Sequence, residues 1–98
     1  MFKDPIECYE KIAGELVKAV KDNWDSIEVE AKITGESSID IKVIYVNKRG
    51  EHGVYDVLLV PRYFFELSKL VSNKDKGLYK TCIFYLYPDG RYDAKFTY

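Results

Sequence analysis

Tyr79 to Tyr98 read YKTCIFYLYPDGRYDAKFTY, two aromatic-rich runs on either side of a Pro-Asp-Gly turn. Pro88 presets φ for the first turn position, Asp89 accepts the next, and Gly90 supplies the left-handed conformation that a type I turn with a G1 bulge needs. The stretch therefore reads as a β-hairpin. Placing Tyr87 opposite Arg91 sets Leu86, Phe84 and Cys82 across from Tyr92, Ala94 and Phe96, and these six form the core face. The other face pairs Tyr85 with Asp93, Ile83 with Lys95 and Thr81 with Thr97, a mixture suited to a partner-binding surface. A slip of one residue would exchange the two faces.

Upstream of the hairpin, Asp4, Pro5 and Glu7 open a first helix as N-cap, first helical residue and capping acid. Ile6, Tyr9, Ile12, Ala13, Leu16, Val17 and Val20 follow at helical spacing, so an amphipathic helix of about five turns is expected, ending at Asp22-Asn23, with Trp24 over the end of the core. Gly14 weakens it. From Ile27 to Ile33 the pattern changes to strict alternation, with Ile27, Val29, Ala31 and Ile33 inward and Glu28, Glu30 and Lys32 outward. After a turn at Gly35–Ser38, Ile39, Ile41, Val43 and Tyr45 share one face and Asp40, Lys42, Ile44 and Val46 the other. This second strand is apolar on both sides and reads as central.

Asn47 to Gly53 (NKRGEHG) reads as a charged turn, with His52 a solvated residue in it, and Val54 to Val60 as a third strand. Pro61 starts a second helix carrying Tyr63, Phe64, Leu67, Leu70 and Val71 on its stripe and Phe65 off it. A competing reading keeps the chain extended through Pro61. Ser72 to Gly77 is a polar loop leading into the hairpin. The expected architecture is thus α+β in the order α-β-β-β-α-β-β, a single antiparallel sheet of about five strands with helices on one face. The open face would carry Glu28, Glu30, Asp40, Asp56 and Asp93 among Lys32, Lys42 and Lys95, with Ile44, Ile83, Tyr85 and Tyr87 supplying apolar area.

Length and composition narrow the function. The 98 residues, 47% hydrophobic, suit one domain over residues 1–98 with one core. Lys plus Arg number 15 and Asp plus Glu 16, for a net charge of -1, without the basic excess of a nucleic-acid binder. The N-terminal stretch has no apolar run long enough for a signal peptide or membrane span, so a cytoplasmic protein is expected. Cys8 and Cys82 match no metal-ligand or redox spacing. No phosphate-cradling glycine motif, calcium loop or zinc set is present. No catalytic group, metal or cofactor is expected, and the chain reads as a binding protein. A small hydrolase would need Cys82 beside His52, or paired carboxylates.

The chain resembles the YezG-like immunity proteins of bacterial polymorphic-toxin and contact-dependent inhibition systems. The resemblance rests on the helix with Tyr9, Ile12 and Ala13 leading to Trp24, Ile27 and Ala31, then a Ser-containing turn and an apolar strand ending in Tyr45, and on the closing LYPDGRYDAKFTY. Residues 57–73, VLLVPRYFFELSKLVSN, are shorter than that family's acidic segment. The resemblance implies neutralisation of a cognate toxin domain, often a nuclease, in a tight protein complex that blocks its active site, with no direct contact to nucleic acid or membrane. It transfers no binding residue. Taken with the open face, it makes Glu28, Glu30, Asp40, Asp56, Tyr85, Tyr87 and Asp93 the expected contact residues. The alternative is a small adaptor or regulatory module using the same face.

Overall fold

The computed structural model describes residues 4–35, 38–55, 57–71 and 79–97. Its elements run α1 (Pro5–Ala19), β1 (Ser26–Ile33), β2 (Ile39–Asn47), β3 (Gly50–Val54), α2 (Val60–Leu70), β4 (Thr81–Leu86) and β5 (Tyr92–Thr97). The strands form one antiparallel sheet in the order β3-β2-β1-β4-β5. This is the α+β architecture that the periodicities predict. The terminal hairpin has the expected register, with Cys82 opposite Phe96, Phe84 opposite Ala94 and Leu86 opposite Tyr92. Gly90 takes a φ of 90°, its N–H donates to the Tyr87 carbonyl at 3.0 Å, and the Tyr87 N–H donates to the Arg91 carbonyl at 2.9 Å.

Helix α1 begins where its cap predicts, with Asp4 Oδ1 accepting the Glu7 N–H at 2.9 Å. It stops at Ala19, a turn before Asp22, where Val20 leaves the helical conformation. The buried line is Cys8, Ile12 and Leu16, spaced four apart. Ile6 and Val17 lie roughly 130° around the helix from Ile12 and are 60% and 50% exposed, so the apolar stripe is wider than the face the core accepts. In α2, Pro61 sits in the first turn, where a missing N–H costs nothing. Phe64 and Leu67 are buried, and Phe65 lies beneath the Lys69 ammonium, 5.4 Å from its ring centroid.

One expectation about the strands is corrected. The third strand is Gly50–Val54, not Val54 to Val60, because the connection from β2 is only Lys48-Arg49. Asn47 Oδ1 accepts the Arg49 N–H at 2.9 Å, and Gly50 takes a φ of 110°. That tight reversal sends GEHGV straight back along β2, and His52 becomes a strand residue. The middle strand is β1, with β2 next to the β3 edge. β2 is nonetheless an interior strand, paired with β1 on one side and β3 on the other, as its two apolar sides predict, and its outward Ile44 and Val46 are half-buried.

Both helices cover the same side of the sheet. Phe84, fully buried on β4, is where they meet: the Tyr9 ring of α1 stacks on it at 5.9 Å, the Phe64 ring of α2 meets it edge-on at 5.8 Å, and Tyr92 stacks at 5.9 Å. Trp24 packs against the margin of this core. Tyr79, which the sequence marks only as the start of the hairpin, is the largest of the fully buried side chains. Its hydroxyl donates to the Phe64 carbonyl and ties β4's approach to α2.

Two stability changes are expected. Tyr79→Phe removes one buried hydrogen bond without leaving a void and should cost about 1 kcal/mol in denaturant melts. Gly14→Ala should raise stability by up to about 1 kcal/mol, because a methyl group there meets nothing within 4 Å.

Candidate binding face

Strand pleating sends every second residue of the sheet away from the helices. Register then fixes which outward side chains are neighbours. Ile44 lies opposite Glu28, Glu28 opposite Tyr85, and Tyr85 opposite Asp93, a continuous row across β2, β1, β4 and β5. Neighbouring strands are about 4.8 Å apart, so the side chains of the row are cross-strand neighbours. The Glu28 carboxylate beside Tyr85 is the main cause of that phenol's elevated pKa, followed by burial, a hydrogen bond from the phenol to Glu28, and the nearby Tyr87 and Asp93. Tyr85 thus lies between two carboxylates, which disfavour its ionised form.

The next row runs Lys42, Glu30, Ile83 and Lys95, and the one after it Asp40, Lys32, Thr81 and Thr97. Glu30 and Asp40 thus each face a lysine across the ladder, which offsets their charge. Tyr87 stands at the turn with the Arg91 guanidinium 5.5 Å from its ring centroid, and Arg91 Nε in turn donates to Asp89 Oδ2 at 2.6 Å. The seven expected contact residues therefore do not act as one acidic set. Glu28, Tyr85 and Asp93 are brought together, Glu30 and Asp40 are paired elsewhere on the same face, Tyr87 lies at its end, and Asp56 lies outside the described residues.

Sequence reasoning missed Tyr55. Gly53 lies opposite Ile44, and a Cβ added to it would meet the Tyr55 ring. Tyr55, 92% exposed, so folds back over the glycine and carries the row to the β3 edge. Its signal was Gly53 itself, a missing side chain beside an aromatic, hidden by the misplaced third strand. Glu28, Glu30, Lys42 and Ile44 line a shallow depression in the same face.

At one end of the sheet a polar cluster joins the α1–β1 connection to the β2–β3 turn. Asp22 Oδ2 accepts from Tyr45 Oη at 3.4 Å, from Asn47 Nδ2 at 3.5 Å and from the Arg49 guanidinium. Asn47 Nδ2 also donates to the Asn23 carbonyl at 2.9 Å. His52 stacks on Tyr45 at 4.9 Å, and its Nε2 donates to Asn47 Oδ1 at 3.1 Å. The expectation of a solvated turn histidine is thus overturned: His52 is half-buried on β3 and holds the turn.

Neither cysteine is placed for nucleophilic chemistry. Burial pushes both thiols up to about 12, helped at Cys8 by Glu66 and Glu7 and at Cys82 by Cys8. Cys8 Sγ donates to the Tyr63 carbonyl at 3.3 Å. His52 and Cys82 belong to strands three positions apart, roughly 14 Å at ordinary strand spacing, beyond proton-transfer reach. Among the described residues no group of three His, Cys, Asp or Glu is gathered as a metal site would need, and no helix is long and apolar enough to cross a membrane. No protein-family model matches the chain, and no curated protein matches it.

The Asp22 carboxyl is held below its usual range, chiefly by the Asn23 N–H that it accepts, then by Arg49, Tyr45 and His52, with its partial burial opposing. A carboxyl whose folded pKa is depressed stabilises the fold in full above its unfolded pKa and loses that contribution as pH falls through the folded one. Asp22→Asn should therefore lower the thermal midpoint at pH 7. The gap to wild type should begin to close as pH falls below the ordinary carboxylate value of about 4 and vanish only below the depressed folded one, where the wild-type carboxyl protonates as well. Melts of both proteins from pH 7 to 2 provide the check.

Proposed function

We propose that the chain is an immunity protein that binds and neutralises a cognate bacterial toxin domain in the cytoplasm, without chemistry of its own. The observation that carries this reading is the row Ile44, Glu28, Tyr85 and Asp93 on a sheet face left bare by both helices. An aromatic ring with a polar tip, set between carboxylates and beside aliphatic area, fits a partner presenting Lys or Arg around an apolar centre. Nuclease surfaces are of that kind where they meet phosphate. Complementary charge speeds the encounter, and the aromatic anchor lengthens the residence time.

The resemblance to YezG-like proteins, carried by the first helix with the strands after it and by the closing LYPDGRYDAKFTY, supports the same class of function without assigning any contact residue. Buried, protonated thiols and a distant histidine leave the bare face as the feature best equipped to act. Occupying it would cover a toxin's active site or lock it in an inactive shape.

Co-expression with the C-terminal domain of a neighbouring toxin-like reading frame should give a co-purifying complex and rescue cell growth. Tyr85→Ala combined with Glu28→Lys should weaken that complex roughly tenfold or more while moving the thermal midpoint little, because both side chains sit outside the core. Toxic cells and no complex would contradict the proposal. A complex with a non-toxic partner would point instead to an adaptor working through the same face.

A further inference from the structure

Strand β5 ends the sheet, and among the described residues it pairs with β4 alone. Tyr87 and Arg91 form a hydrogen-bonded pair, the Tyr87 N–H donating to the Arg91 carbonyl. Antiparallel alternation then turns the N–H and C=O groups of Asp93 and Lys95 toward β4 and those of Tyr92, Ala94 and Phe96 away from it. The pairing with β4 is continuous from Tyr92 to Thr97, and no proline interrupts it. The outer edge is therefore a ready template for another strand.

The side chains along this edge are self-complementary. Asp93 and Lys95 flank Ala94 on the helix-free face, and neither joins an ion pair among the described residues. On the opposite face Tyr92 and Phe96 flank the same alanine, and Tyr92 is 38% exposed. A lone lysine on an edge strand guards against pairing. An aspartate two residues away reverses that effect for one partner, an identical strand running antiparallel.

We propose that β5 pairs with β5 of a second copy about a twofold axis at Ala94, so that one sheet continues through both molecules. In this register Asp93 of each copy faces Lys95 of the other in the closely spaced, non-hydrogen-bonded position, where side chains approach most closely. Tyr92 faces Phe96 across the axis on the helix side. Each Ala94 exchanges backbone hydrogen bonds with its counterpart. An axis at Tyr92 would set Arg91 against Asp93 but would run the neighbouring strand past the Pro88–Gly90 turn, where there is no edge to pair with. The β3 edge, GEHGV, offers two glycines and no oppositely charged pair. Dimerisation leaves the row Glu28–Tyr85 of both copies open on one continuous surface, and it does not depend on what that face binds.

The test is sedimentation equilibrium on the full chain at low salt across a concentration series. Wild type should move from 11.4 kDa toward twice that mass, and added salt should weaken the association. Asp93→Lys alone and Lys95→Asp alone each create two like-charge contacts and should weaken the dimer roughly tenfold. The double variant Asp93→Lys with Lys95→Asp should restore it. Far-UV circular dichroism of the variants should overlay that of wild type. A monomeric wild type at all concentrations overturns the proposal. So do a dimer insensitive to both single changes and a loss that the double variant does not repair.

Discussion

The packing of Phe84 constrains everything else in this molecule. At its ring α1, α2 and β5 all meet β4, through Tyr9, Phe64 and Tyr92. With Phe84 committed to the helix side, strand parity leaves Ile83 and Tyr85 no choice but the other side. A one-residue slip would bury Tyr85 and the charged Asp93 and Lys95 under the helices, at a desolvation cost that no available partner offsets. The hairpin register, the one-sided helix layer and the bare face are consequences of the same burial.

Much of this was legible because the alternations are strict and the caps carry specific chemistry. Asp4 with Pro5 and Glu7 located the start of α1, and Pro88-Asp89-Gly90 fixed the pairing of β4 with β5 to the residue. The reading failed where polar composition imitated a loop. Asn47 to Gly53 is as charged and glycine-rich as a turn, yet its reversal takes only Lys48 and Arg49, held by the Asn47 side chain. The rest pairs with β2 because His52 can stack on Tyr45 and Val54 can reach the core. That stacking is a tertiary contact, invisible to periodicity. The same limit hid the depth of Tyr79, whose hydrogen-bond acceptor lies fifteen residues earlier on α2.

The candidate site was legible as a face but not as a set of neighbours. Alternation alone places Glu28, Glu30, Asp40 and Asp93 on one side. Only the order of strands shows that Glu30 and Asp40 face lysines while Glu28 and Asp93 bracket Tyr85. Charge on this chain, nearly balanced in sum, is thus sorted by sheet topology into one uncompensated acidic row and two mixed ones. Asp93, at the end of that row, also belongs to the exposed β5 edge, where together with Lys95 it makes a charge pattern that complements itself.

The central claim is that the bare face of the sheet, and not the helix layer, is the working surface. Amide chemical-shift mapping of the isotope-labelled chain, titrated with its partner domain, tests this most directly. The account predicts that the largest perturbations fall on Glu28, Ile44, Ile83 and Tyr85, with the exposed sides of α1 and α2 unchanged. Perturbations concentrated on Ile6, Val17 and the other outward residues of the helices would contradict it.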